Sequence, residues 1–303
     1  MERPHHDERA ALRARRPGLE LRARVLRGLR EALIARGYLE VETPVRLSSP
    51  ALERHIDAEP SGDRYLRTSP ELHMKRLLAA GYGRLFQIGP CFRRGERGPR
   101  HHPEYTMLEW YAAGADIDAL LREMEEWLPA AARAAGGRAA GLFEPPWARR
   151  TVSEAFRRWA GWDPVEQYDA DRFDLDLTGL VEPALPRDRA VILLDYPAAA
   201  AALSRLRPGN PRVAERAELY AAGVELANTY GELTDPAEQR ARFEACARER
   251  AAAGKPVYPL DEDFLRALES GLPPCAGAAL GVDRLAMVLA GAEDLSDVTA
   301  FRE

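Results

Sequence analysis

Apolar residues recur at every fourth position in LELRARVLRGLREALIARG, where Leu21, Val25, Leu29 and Leu33 form one stripe on an arginine-rich surface. This spacing predicts an amphipathic helix that Gly37 ends. Residues 1–16 before it are charged, include His5 and His6 and show no apolar period, so they read as a tail rather than a metal site. YLEVETP then alternates Leu39 and Val41 with Glu40 and Glu42, the pattern of a half-buried strand stopped by Pro44. A second helix is expected through PELHMKRLLAAG. RLFQIGPCFRR and EYTMLEWYAA flank the Gly/Pro-rich stretch GERGPRHHP and read as two strands joined by a long loop. In the second of them Tyr105, Met107, Glu109 and Tyr111 share one face.

Residues 112–190 carry helical stretches broken by Pro145, Pro146, Pro183 and Pro186 and say least about function. A buried strand (AVILLDYP) and a single strand around ELYAAGVELAN are expected next. Asp235, Pro236 and Glu238 then open a helix with a capping-box pattern and proline at its first position. A glycine-rich strand, CAGAALGVDR, runs into the last helix, LAMVLAG. No internal repeat or long linker interrupts this order. The expected architecture is one α+β domain over residues 17–303, an antiparallel β-sheet flanked by helices.

Composition narrows the function classes. A chain of 303 residues, 46% hydrophobic and 30% charged, buries a core unaided. Its net charge of -5 supplies no bulk electrostatic footprint for nucleic acid. Cys91, Cys246 and Cys275 are odd in number and form no CxxC pair, which points to a reducing compartment and away from zinc. No apolar run approaches the roughly 18 residues of a membrane span, so the expected location is the cytoplasm with no membrane attachment. Neither GxxxxGK[ST] nor GxGxxG occurs, so nucleotide binding through a P-loop or a Rossmann turn is not on offer. Arg93 ends a strand before a loop of mixed charge, where a guanidinium fork could bind phosphate or carboxylate; taken alone, in a chain with 41 arginines, it reads as a solvated arginine.

Three segments, in order, carry a family resemblance: GYLEVETP at 37–44, CFRRGERGPRHHPEYTMLEWY at 91–111 and GAALGVDRLAM at 277–287. Together they resemble the signature motifs of class II aminoacyl-tRNA synthetases, most closely the lysyl-type subgroup. The resemblance implies the antiparallel catalytic sheet of that class, and a homodimer formed through the first segment. It implies that Arg93 holds the ATP α-phosphate, that Glu96 and His101 lie in the loop covering ATP, and that Arg284 takes the γ-phosphate. Gly95 departs from the usual FRxE pattern, with Glu96 following one place later. Positions matching Glu218 and Glu225 bind the ATP-associated metal in the subgroup, and two oxygen ligands beside ATP phosphates suit Mg²⁺. Those matching Glu71, Glu109, Tyr111, Asn228 and Glu232 line the lysine site. Carboxylates gathered there would repel one another, and a substrate with two ammonium groups would neutralise them.

The match runs from about residue 18 to 301 and leaves almost nothing for the N-terminal anticodon-binding barrel of a lysyl-tRNA synthetase. A catalytic domain with ELTDPAEQRARFEACARERAAAG, DYPA and CAGAALGVDRL is similar to the elongation factor P β-lysine ligase family, in which alanine replaces a glycine of the third motif, as Ala279 does here. One methyl on a pocket wall discriminates by about 1–3 kcal/mol. The implied reaction is ATP-dependent activation of β-lysine as an adenylate and transfer to a lysine side chain of elongation factor P, with tRNA not a partner. Two alternatives stay open: a minimal lysyl-tRNA synthetase-like enzyme, and a non-catalytic regulatory paralogue.

Overall fold

The structure is a computed structural model and describes residues 8–302; His5 and His6 lie outside the described residues. In chain order the strands are β1 (Leu39–Glu40), β2 (Arg46–Leu47), β3 (Pro60–Ser61), β4 (Arg64–Leu66), β5 (Arg84–Phe92), β6 (Glu104–Ala113), β7 (Ala148–Thr151), β8 (Val191–Pro197), β9 (Leu206–Arg207), β10 (Asn210–Ala221), β11 (Val224–Gly231) and β12 (Cys275–Gly281). The helices are α1 (Glu8–Ile34), α2 (Glu71–Ala79), α3 (Ile117–Ala135), α4 (Val152–Trp159), α5 (Ala170–Asp176), α6 (Glu182–Ala184), α7 (Pro236–Ala252), α8 (Glu262–Glu269) and α9 (Val282–Ala290). The main sheet has the order β1-β5-β6-β12-β11-β10-β8-β7, with β9 beside β10. Its six central strands pair antiparallel, as expected, and only the edge strands β1 and β7 pair parallel.

Why the site lies on one face follows from side-chain alternation. Phe86, Leu108, Trp110, Ala112, Ala276, Ala278 and Leu280 point to one side and form the main core with α1, α3 and α9. Residues between them in sequence point to the other side, where α2, α7 and α8 cover one end and the segment from α4 to α6 covers the other. The stripe Leu21, Val25, Leu29 and Leu33 is buried as its spacing requires. Asp235 accepts from the Glu238 backbone N–H and Pro236 opens α7, so the expected cap is present.

Three expectations need correction. Helix α1 begins at Glu8 and runs through Pro17, so residues 8–16 are helical rather than a tail. Ala and Arg favour the helix without an apolar stripe, and Arg15 Nη1 anchors the segment to the Ala300 carbonyl at 2.7 Å. The strand expected over residues 38–44 is reduced to Leu39–Glu40, and Leu39 is half exposed at the sheet edge. Residues 218–228 are not one strand but the two arms of a hairpin. Its two-residue turn has Ala222 at φ 54° and Gly223 at φ 74°, the double positive φ that hairpin turns prefer.

Candidate active site

Cross-strand register assembles the floor of the site. Glu109 on β6 pairs with Ala279 on β12, which pairs with Asn228 on β11, which pairs with Glu218 on β10. One pleat away, Tyr111, Gly277, Tyr230 and Arg216 form a second row. The glycine is required by space. A Cβ on Gly277 would lie 2.2 Å from a Tyr111 ring carbon and 2.5 Å from Glu232 Oε1, far inside contact distance.

The hairpin explains how Glu218 and Glu225 both reach the site. In one continuous strand their odd spacing would send them to opposite faces. The turn reverses the chain so that Glu225 pairs with Tyr220, on the face that Glu218 shares, and the bulge at Leu226 then brings Asn228 onto that face as well. Above this floor lies a cavity of about 900 Å³, walled among others by Arg93, Glu96, His101, Ala279 and Arg284. Glu218, Glu225 and Asn228 complete that part of the wall.

Two guanidiniums face the cavity from different elements. Arg93, just past β5, leaves its buried Nε without a hydrogen-bond partner and lies over the Tyr105 ring. Gly95 sits at φ 79° with open space around it. That tight turn brings Glu96 back to Arg93 at 3.7 Å, so the residue one place late still reaches the expected arginine. Arg284, in the first turn of α9, donates to the Glu225 carboxylate at 3.2 Å and lies 2.6 Å from His101 Nε2. Burial and the Arg284 charge lower the His101 pKa, which keeps a neutral ring to accept that contact.

Glu218 is the most heavily used carboxylate. It accepts from Arg216 at 2.7 Å, Tyr220 at 2.6 Å and Asn228 at 3.4 Å, and from the Tyr196 hydroxyl. Burial, then the neighbouring Glu218, raise the Glu225 carboxyl above the usual range. Glu182, delivered by the α6 segment, accepts from Tyr220 and is pushed up to about 7 by burial and by the same two carboxylates. Glu182 carried no signal in the sequence, because it lies in the stretch without periodicity. Among the described residues no group of three or more His, Cys, Asp or Glu side chains is arranged to hold a metal alone. The hard oxygen donors Glu218 and Glu225, on a cavity also lined by Arg93 and Arg284, nevertheless fit Mg²⁺, which takes few protein ligands and completes its shell from phosphate and water.

Glu71, Glu109, Tyr111 and Glu232 are brought together, but beneath the cavity rather than on its wall, all of them buried. Glu109 accepts from Ser69 Oγ at 2.8 Å and from the Tyr111 hydroxyl at 2.5 Å. Lys75 Nζ lies 2.5 Å from both Glu71 and Glu232 and is fully buried. This changes the charge argument: the protein supplies its own counterion, so a substrate is not needed to relieve repulsion between Glu71 and Glu232. The sequence held a signal for Lys75, since it is one of only two lysines in a chain with 43 basic residues. Arginine supplies nearly all the other basic positions, and a compact ammonium bridges two carboxylates as a point charge where a guanidinium would present a planar fork.

Burial, with Glu71 adding to it, pushes Glu109 up to about 8. The carboxyl is therefore protonated in the empty protein at neutral pH. An ammonium placed beside it stabilises the anion and expels that proton. Calorimetry of the binding of a diammonium amino acid at pH 7 in buffers of different ionisation enthalpy should show proton release, with affinity falling as pH drops below 8. Identical heats in all buffers would exclude this coupling.

A glycine- and carboxylate-floored antiparallel sheet, with one arginine after its first long strand and another opening the helix after its last, defines a synthetase-type catalytic domain. The chain belongs to the class II tRNA synthetases: the family described as "tRNA synthetases class II (D, K and N)" matches residues 10–303. It is 40% identical to the elongation factor P-(R)-beta-lysine ligase of Vibrio cholerae, across 93% of this chain and 94% of that protein. The protein of the same name from Klebsiella pneumoniae is 39% identical, across 94% of each chain. That of Photorhabdus laumondii is 40% identical across 92% of this chain and 93% of its own. Among the described residues no helix is long and apolar enough to cross a membrane.

Proposed function

We propose that this protein activates β-lysine with ATP and transfers it to a lysine side chain of elongation factor P. The observation that carries the reading is the single face on which Arg93, Arg284, Glu218 and Glu225 surround a cavity directly above Glu109, Asn228 and Ala279. The relatives named as ligases acting on elongation factor P, matched over nearly their whole length, supply the acceptor.

In the first step the substrate carboxylate attacks the α-phosphorus of ATP; the new O–P bond replaces the bond to the departing diphosphate. A carboxylate is already ionised at pH 7, so no enzyme nucleophile or base is required. Catalysis is positioning and charge stabilisation. Arg93 offers its unpaired Nε to the α-phosphate, and Arg284 neutralises the leaving phosphates. Glu218 and Glu225 would hold Mg²⁺, which would supply Lewis-acid stabilisation of phosphate charge. Glu96 and His101 close over the nucleotide beside their arginines. Below, Asn228 presents a buried Oδ1 without a protein partner, an acceptor for a substrate ammonium. Glu109 with Tyr111 receives the second ammonium, and Glu71 and Glu232, joined by Lys75, frame that end of the pocket. The Ala279 methyl stands between Glu109 and Asn228, where it sets the distance between the two ammonium sites and so the preferred isomer.

The protein acts as a cytoplasmic homodimer in this reading. Ile34 at 56%, Leu39 at 50% and Val45 at 36% exposure are large apolar side chains left open in the stretch from the end of α1 to β2, which suits a second copy. Tested directly, elongation factor P and bulk tRNA compete as acceptors with ATP, Mg²⁺ and isotope-labelled α- and β-lysine. A lysyl mass increase on the factor, from β-lysine, is the expected outcome. Label on tRNA would establish the minimal-synthetase alternative, and label on neither the regulatory one.

A further inference from the structure

The transfer step has a requirement that the activation step lacks. An amine that attacks the adenylate must shed a proton as the amide forms, and none of the residues assigned above is free to take it. Glu218 is held by four donors, Glu225 by Arg284, and Asp283 by Arg22 and the Thr106 N–H. Glu96 pairs with Arg93, Asp174 with His55 and Glu249 with Arg54. Glu53 also lines the cavity. Among the described residues its carboxyl makes no hydrogen bond or ion pair to the protein.

The position of Glu53 is nonetheless fixed. Arg250, 1% exposed, donates to the carbonyls of Glu53 at 2.6 Å and Ile56 at 2.9 Å, and to Asp57 Oδ1 at 2.5 Å. The Arg94 N–H binds the Asp57 carbonyl, and the Ala58 N–H binds Tyr258. A buried guanidinium therefore rivets a loop whose one carboxylate facing the cavity has no partner. Such an arrangement is hard to explain as structural, because an unpaired half-buried carboxyl costs stability and holds nothing together.

We propose that Glu53 is the general base of the transfer step, accepting the proton that the attacking lysine amine loses. The assignment rests on the ligase reading above. The acceptor amine, having released its first proton to solvent, attacks the adenylate carbonyl carbon. The C–N bond forms, the C–O bond to phosphate breaks with its electron pair going to AMP, and the surplus N–H proton passes to a Glu53 carboxylate oxygen. Arg93, beside the α-phosphate, lies on the same wall, so base and leaving group share one end of the cavity.

The charged and titratable groups around Glu53 are Arg93 and Glu96 from the loop after β5, Glu71 from α2 and Arg216 from β10. Tyr105, Tyr230 and Cys246 face it from β6, β11 and α7. Burial raises its carboxyl to about 6 against the pull of Arg93. It is thus ionised and ready to accept a proton at pH 7 to 8 and loses that capacity in acid.

The isosteric Glu53→Gln variant of the full chain, given ATP, Mg²⁺, (R)-β-lysine and elongation factor P, provides the test. Lysine-dependent ATP–diphosphate exchange should stay within threefold of the unsubstituted protein, which also reports an intact fold. Single-turnover transfer from preformed adenylate should fall about 100-fold. The unsubstituted protein should show an acid limb near pH 6 in transfer that the variant lacks. Hydroxylamine, neutral at pH 8, should capture the aminoacyl group equally fast from both. Transfer within threefold of normal would overturn the assignment, as would exchange falling in step with transfer, which would make Glu53 a substrate-binding group. Absence of exchange in the unsubstituted protein would instead sink the ligase reading itself.

Discussion

Arg93→Ala lowers lysine-dependent ATP–diphosphate exchange by about 10²–10³-fold, the loss of roughly 2.7–4 kcal/mol of transition-state stabilisation that follows removal of one preorganised donor. The expectation comes from what this guanidinium does not do in the protein. Its Nε is buried and unpaired, and its contact with Glu96 is long at 3.7 Å. The Tyr105 ring beneath it fixes its plane without satisfying a donor. A structural arginine of equal burial would have used its fork, as Arg250 does on three carbonyls and a carboxylate. Removing Arg93 therefore breaks little in the resting protein and much in the transition state. Urea midpoints of the variant should match those of the unsubstituted protein while exchange collapses. Arg93→Lys keeps the charge but loses the fork, and its activity should fall between the two. Exchange within threefold of normal in Arg93→Ala would remove this residue from the chemistry.

The contrast between Arg93 and Arg250 shows where sequence reasoning has reach. Arg93 is singled out because it stands in an ordered set of motifs at a strand end, whereas Arg250 is one arginine among many on a helix of weak amphipathicity. Its burial depends on a loop almost two hundred residues away in the chain. Glu109 and Tyr111 were placed on one face by alternation alone, and the register of β6 against β12 agrees. The hairpin at Ala222–Gly223 escaped, because Ala-Gly is a weaker turn signal than Asn-Gly and the apolar pattern continues across it. Glu53 and Glu182 escaped for another reason: both lie in irregular segments, where no period assigns a face and tertiary anchoring decides the direction of the side chain. The elements with a sustained period were readable, apart from the short alternation at 38–44, and the groups on riveted loops were not.

Lys75→Met shows most directly that the pocket's charge balance is built into the fold. Removing the ammonium leaves Glu71 and Glu232 buried without a counterion, and breaking a buried pair in this way costs about 3–5 kcal/mol. The cost depends on pH. In the intact protein the Lys75 pKa is raised by the two carboxylates against burial, so its contribution is fully present below its unfolded value of 10.5 and constant from pH 6 to 9. Any pH dependence of the penalty in that window therefore belongs to the carboxyls. Burial already holds Glu232 up at about 7 with Lys75 beside it; without the ammonium it rises further. A carboxyl raised in the folded state binds its proton more tightly there, so stability falls as pH climbs from the unfolded value toward the folded one. In Lys75→Met that fall extends above pH 7. The penalty should accordingly be small at pH 6 and reach its full size at pH 9, as read from urea unfolding. Adding Glu232→Gln should recover much of the loss at pH 9, because one of the two stranded charges is then gone. An equal penalty at both pH values, or no recovery in the double variant, would mean that Lys75 contributes packing rather than charge. Lys75 offsets only part of the charge on Glu71 and Glu232, and the acceptors left without a protein cation, among them Glu109 and the Asn228 Oδ1, are those that the proposed reading gives to a substrate with two ammonium groups.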